Sequence, residues 1–113
     1  MKVSIVMSAY NCELFLEQAL ESIINLSYQE FEYIVFDDAS IDSTKKIIQN
    51  FSNKDSRINP IYNDVNKGLT VNLNKAISLA RGEYIARMDA DDIAFSSRIE
   101  KQVKFLDDHQ EID

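Results

Sequence analysis

The sequence is poor in the residues that punctuate or cross-link a chain. Among 113 residues there are two glycines, one proline, one cysteine, one histidine and no tryptophan. With only two glycines, neither a G-x-G-x-x-G nor a Walker A phosphate loop can be written, so any phosphate must be held by something other than a glycine-rich backbone cradle. A lone Cys12 excludes a disulfide framework and suits a reducing compartment. With His109 as the sole histidine, far along the chain in the C-terminal tail, a Cys–His nucleophilic pair is disfavoured. Cys12 reads as a small residue filling a strand–helix corner. No apolar run approaches the roughly 20 residues that cross a bilayer, and nothing at the start reads as a signal peptide. Positive charge is also scarce. Twelve Lys and Arg against nineteen Asp and Glu give a net charge of −7, which argues against a nucleic-acid partner. These features together lead to the expectation of a cytoplasmic location.

What is present is an ordinary hydrophobic content of 45%, enough for one small domain with a core. Lys2 to Ser8 reads as a strand, apolar on both faces. A helix is expected from about Glu13 to Leu26, with Leu16, Ala19, Leu20, Ile23 and Ile24 forming one stripe. A second strand, Tyr33 to Phe36, ends at Asp37-Asp38. Ser40 or Asp42 then caps a helix whose inner face is Ile47, Ile48 and Phe51. A third strand spans about Ile58 to Tyr62, and its Pro60 belongs at a sheet edge. After a turn at Asn66-Lys67-Gly68, a third helix runs from about Leu69 to Ala80 with Leu73, Ala76, Ile77 and Ala80 inward. Gly82 stands in the C-terminal glycine position. A fourth strand, Glu83 to Met88, leads to Asp89-Ala90-Asp91-Asp92, and a fourth helix is expected from about Ser97 to Asp108. Strands alternating with helices specify an α/β fold with a parallel sheet and right-handed crossovers. The expected strand order is 3-2-1-4, with helices on both faces.

In such sheets ligands bind beyond the carboxyl ends of the strands. Three polar clusters fall there: Tyr10-Asn11, Asp37-Asp38-Ala39-Ser40, and Asp89-Ala90-Asp91-Asp92. With the first strand central, all three converge on one crevice. A tyrosine offers a flat face to a base, and a carboxylate after the second strand accepts hydrogen bonds from a nucleoside. The third cluster is either a solvated acidic turn or a site for a hard divalent cation such as Mg²⁺, which would relieve the crowding of carboxylates and hold a diphosphate. Asp37 either orients the turn into the second helix or touches ligand, and Asn66 and Gly68 read equally as a plain turn. The base stays open among uracil, thymine and guanine.

Four stretches carry a family resemblance. They are Val3-Ser4-Ile5-Val6-Met7-Ser8-Ala9-Tyr10-Asn11, Phe36-Asp37-Asp38-Ala39-Ser40-Ile41-Asp42-Ser43-Thr44, Asn66-Lys67-Gly68-Leu69, and Gly82 to Asp92. In order and spacing the chain resembles the family 2 glycosyltransferases over nearly its whole length. That resemblance implies a Rossmann-like GT-A fold and transfer of a sugar from a nucleotide-diphosphate donor, a UDP-sugar, with inversion. A role in bacterial polysaccharide or glycoconjugate synthesis follows from it, as does a carbohydrate or lipid-linked acceptor. It implies that Ala9 and Tyr10 line the base, that Asn11 belongs to the same nucleotide-binding set, that Asp38 bonds the base edge, that Asp89 lies near the ribose, and that Asp91, with Asp89, holds Mn²⁺ or Mg²⁺. Ser8 departs from the pattern, since the family usually has proline there. The element pattern also stops after a helix. Residues 1–113 therefore read as the nucleotide-sugar-binding half of a longer domain, with the general base and acceptor site elsewhere. Such a half would bind donor without transferring sugar, and would pair as a homodimer through the edge beside the fourth strand. In a longer protein the location could be the inner face of the membrane. The competing readings are a haloacid-dehalogenase-type phosphotransfer enzyme, whose D-x-D follows its first strand; a receiver domain, whose acidic pair also follows its first strand; and a nucleotide-binding module without catalysis.

Overall fold

The computed structural model describes residues 3–25 and 29–88. In chain order it contains β1 (Val3–Ala9), α1 (Glu13–Ile24), β2 (Phe31–Asp37), α2 (Thr44–Lys54), β3 (Ile58–Tyr62), α3 (Leu69–Leu79) and β4 (Tyr84–Arg87). The expected fourth helix and acidic turn lie outside the described residues.

All the strand pairings are parallel and the order is β3-β2-β1-β4, as the alternating pattern specified. Val3 is in register with Phe31 of β2 and with Tyr84 of β4, and Tyr33 of β2 with Ile58 of β3. Pro60 lies on β3, at the sheet edge, where its missing N–H leaves no gap in a central ladder.

Two-sided burial explains the apolar strands. On one face Val3, Ile5, Met7 and Ala9 join Phe31, Tyr33 and Val35 against the α1 stripe of Leu16, Ala19, Leu20 and Ile23 and against Ile48 of α2. On the other, Val6, Ile34 and Phe36 meet Ala76 of α3, with Leu73 and Ala80 beside it. Each fully buried Leu or Ile contributes roughly 1.5–3 kcal/mol, so the α1 stripe is a principal anchor of the sheet.

Several boundaries move for physical reasons. β1 is displaced by one residue from Lys2–Ser8, and α1 ends at Ile24, where Asn25 N–H bonds back to the Glu21 carbonyl. β2 is longer than Tyr33–Phe36. Glu32 lies outside the expected span, but its buried carboxylate accepts hydrogen bonds from Ser4 Oγ (2.5 Å) and Arg81 N (2.6 Å) and so stays in the ladder. In α3 the expected inward Ile77 is 51% exposed, while Asn72 is buried. The helix turns Asn72 and Ala76 inward because Asn72 finds polar partners on both sides. Gly82 is not a helix cap: Ala80 closes α3 with φ −66°. Gly82 instead lies against β1, where a Cβ would stand 2.6 Å from Ser4 N and 2.7 Å from the Val3 carbonyl carbon. β4 pairs with β1 alone among the described residues, and its Ile85 is exposed.

Candidate nucleotide site

The carboxyl ends of β1 and β2 are joined by bonds between the loops that follow them. Asn11 takes φ 46° and Ala39 φ 62°, so both loops turn sharply off their strands. Asn11 N donates to Ser40 Oγ (3.0 Å), and Ile41 N donates to Asn11 Oδ1 (2.9 Å). Cys12 N donates to Thr44 Oγ1 (2.9 Å), and Ser43 N to Glu13 Oε2 (2.9 Å). Asp42 Oδ1 accepts from Thr44 N (2.9 Å), but the N-cap residue of α2 is Ser43, without a side-chain cap bond, and not the expected Ser40 or Asp42. This lacing holds Tyr10, 51% exposed, on a fixed support with its ring outward.

Asp38 is the hub of the site. It is 2% exposed, and its carboxylate accepts from Asn63 Nδ2 (3.0 Å) and Lys67 N (2.9 Å) on Oδ1, and from Gly68 N (2.9 Å) on Oδ2. Its own N–H donates to the Ala9 carbonyl (2.8 Å). Burial pushes the Asp38 pKa up, but the amides of Lys67 and Gly68 and the side chains of Asn63 and Asn72 outweigh it and leave it below the usual carboxylate range. Gly68 reaches φ 88° at the start of α3, which lets two successive amides face one carboxylate. The Asn66-Lys67-Gly68 turn thus does more than reverse the chain. Beyond Asn63 the bonds continue: Asn63 Nδ2 donates to Asn72 Oδ1 (2.9 Å), and Asn72 Nδ2 donates to Ser8 Oγ (2.9 Å).

These residues border a cleft of about 410 Å³, lined by Ser8, Tyr10 and Cys12 from the β1 side and by Asp38, Asn66, Gly68 and Leu69. Tyr10 and Asp38 therefore meet in one crevice. Ala9 does not line it: its side chain is fully buried in the α1-facing core, and only its carbonyl takes part, by fixing Asp38. Alternation along a strand makes this unavoidable, since Ser8 and Ala9 point to opposite faces. Asn11 braces the loop through its bonds to Ser40 and Ile41. Asp37 is buried, and its Oδ1 has no hydrogen-bond partner among the described residues. Cys12 is partly buried beside Thr44, and burial raises its thiol pKa, which fits packing better than nucleophilic attack. Asp89 and Asp91, expected at the ribose and metal, lie outside the described residues, as does Asp92. Among the described residues no three His, Cys, Asp or Glu side chains are grouped to hold a metal ion. Sequence reasoning missed Asn63 and Asn72. The one signal for Asn72 was a polar residue four before Ala76 on the inward face of α3.

Comparison with known proteins agrees with this architecture. The model of the family described as Glycosyl transferase family 2 matches residues 4–112. The protein EpsE of Bacillus subtilis (strain 168) is 46% identical over 110 residues, covering 96% of this chain and 40% of that protein. The UDP-Glc:alpha-D-GlcNAc-diphosphoundecaprenol beta-1,3-glucosyltransferase WfaP of Escherichia coli is 39% identical over 105 residues, covering 93% of this chain and 41% of that protein. Among solved structures, S. aureus TarS 1-349 in complex with UDP-GlcNAc superposes with a TM-score of 0.90 at 29% identity, covering 97% of this chain and 32% of that one. The chain thus spans about two fifths of the length of the sequence relatives named here. With the β3-β2-β1-β4 sheet and the cleft at its carboxyl edge, the match over nearly the full chain places the protein in glycosyltransferase family 2.

Proposed function

We propose that this chain binds the donor of an inverting glycosyltransferase that moves a sugar from a UDP-sugar to a hydroxyl acceptor. The reading rests above all on one observation: Tyr10 and Asp38, from two different strand ends, border the same cleft, with Asp38 buried and braced. In this reading Tyr10 offers its ring to the base and Asp38 accepts a base N–H. Asp91, with Asp89, would hold Mn²⁺ or Mg²⁺, an all-oxygen donor set suited to a hard cation. A cation there would neutralise charge on the diphosphate leaving group. The reaction also requires a general base, such as a carboxylate, that takes the acceptor's proton. The E. coli relative's name specifies UDP-glucose and a diphosphoundecaprenol acceptor, which supports a UDP-sugar donor, a lipid-linked acceptor and a place in polysaccharide synthesis.

Thermal unfolding with a panel of nucleoside diphosphates, with and without Mn²⁺, tests the reading. Ligand at a hundred times its Kd stabilises by about 2.7 kcal/mol. UDP should raise the melting temperature, and more so with Mn²⁺. If no nucleoside diphosphate raises it under either condition, the proposal fails. Labelled-donor transfer by the full-length protein then separates an enzyme from a binding module.

A further inference from the structure

We infer that Ser8 is a base-specificity residue whose hydroxyl donates a hydrogen bond to a carbonyl of a uracil base in the cleft. This deepens the UDP-sugar reading and rests on it. The argument begins at Asp38. A carboxylate can only accept, so the Asn63 group facing Asp38 Oδ1 at 3.0 Å must be its NH₂. The same NH₂ faces the Asn72 side chain at 2.9 Å, so Asn72 presents its oxygen there. The other end of the Asn72 amide is then NH₂, and it donates to Ser8 Oγ at 2.9 Å. Asp38 therefore sets the polarity of every bond along the line. Ser8 stands at its far end with a lone pair occupied and its own hydrogen uncommitted, for no acceptor of that hydrogen is found among the described residues. Ser8 borders the cleft together with Asp38.

The acceptor side narrows the base. A carboxylate offers about four lone-pair positions. Asp38 Oδ1 accepts two bonds and Oδ2 one, and the Asn72 side chain also acts on this carboxylate, which leaves at most one position, on Oδ2. Guanine presents two adjacent N–H donors, N1–H and N2–H, and one of them would lack a partner. Cytosine would set its N3 lone pair against the carboxylate. Uracil presents a single N3–H flanked by carbonyls. One remaining acceptor and one uncommitted hydroxyl donor match an N–H beside a C=O.

Calorimetric titration of UDP, CDP, GDP, 2-thio-UDP and 4-thio-UDP into wild type, Ser8→Ala and Ser8→Thr tests this. Wild type should prefer UDP. Ser8→Ala should bind UDP roughly three- to tenfold more weakly, the loss of one neutral hydrogen bond, and Ser8→Thr should restore most of it. The penalty of Ser8→Ala should vanish for whichever thio analogue replaces the contacted carbonyl, because sulfur accepts poorly; a merely structural effect would persist with all ligands. Equal UDP affinity in wild type and Ser8→Ala, or an equal penalty for UDP and both thio analogues, overturns the role of Ser8 while leaving the UDP reading standing. If wild type binds GDP or CDP more tightly than UDP, or binds none of them, the UDP reading itself falls and this inference with it.

Discussion

Replacing Asp38 should damage the fold as well as nucleotide binding, and the structure indicates by how much. Its buried carboxylate accepts three hydrogen bonds, from Lys67 N, Gly68 N and Asn63 Nδ2, at 2.9–3.0 Å. Hydrogen bonds to a charged group are worth about 1.5–3 kcal/mol each, so the simple sum overstates the loss. Gly68 borders the cleft, so its freed amide can regain water, and bonds sharing one acceptor are not additive. A cost of about 2–4 kcal/mol for Asp38→Ala follows. At about 4 °C per kcal/mol for a chain of this size, the melting temperature should fall by about 8–16 °C. Hydrogen exchange at the Lys67 and Gly68 amides should quicken in the variant, since their acceptor is gone. Asp38→Asn should lose nearly as much, because its NH₂ would oppose one of the N–H donors. The pH dependence has a definite sign. A carboxyl held below its unfolded value of about 3.9 stabilises the fold above that pH, and the contribution fades as pH falls through the folded value. The gap between wild type and Asp38→Asn should therefore be full at pH 7 and close below about pH 4. A variant that melts within 1 °C (roughly 0.25 kcal/mol) of wild type at pH 7, with unchanged amide exchange and a loss of UDP affinity alone, would refute the bracing role.

Tyr10 should behave oppositely: being half exposed, Tyr10→Ala should leave the melting temperature nearly unchanged while UDP affinity falls by about 1–3 kcal/mol, the usual value of a base–aromatic stack, measured by the same titration. Gly82→Ala would force a Cβ to within 2.6 Å of the Ser4 backbone nitrogen, so it should destabilise by about 1–3 kcal/mol or more, visible in urea denaturation. Glu32→Gln should cost about 1–3 kcal/mol at pH 7, because the bonds to Ser4 Oγ and Arg81 N lose their charge and one polar atom faces the wrong partner. Burial opposes ionisation of Glu32, but Ser4 and Arg81 prevail and hold its pKa below the usual value, so this difference too should shrink in acid.

The sheet was legible because its signals are redundant. Each strand is a short apolar run, each helix has a stripe, and a single proline fixes which strand is at the edge. Any one of these could be weak without changing the order. Side-chain assignments have no such redundancy. Ala9 adjoins Tyr10 in sequence, but the two-residue period of β1 sends it into the core and brings Ser8 to the cleft. Ile77 looked more suitable than Asn72 for the buried face of α3, because apolar periodicity ignores a polar side chain whose partners are 9 and 64 residues away. Gly82 resembled a helix cap because glycine in that place often is one, whereas its real constraint is the backbone of a strand nearly eighty residues earlier.

These misses share one cause. Polar residues are placed by specific long-range hydrogen bonds, and those bonds exist only once the fold is known. The consequence for the site is concrete. Sequence alone made Asp38 a solitary ligand to a base, with several bases open. In the folded chain Asp38 spends most of its acceptor capacity on the Lys67-Gly68 turn and Asn63, and what is left can serve only one N–H. A residue so used is both scaffold and ligand. Its substitution cannot report on nucleotide binding by itself, which is why the Tyr10 variant, outside the bracing bonds of Asp38, and the Ser8 variants, at the far end of the line through Asn63 and Asn72, are the cleaner probes of the base.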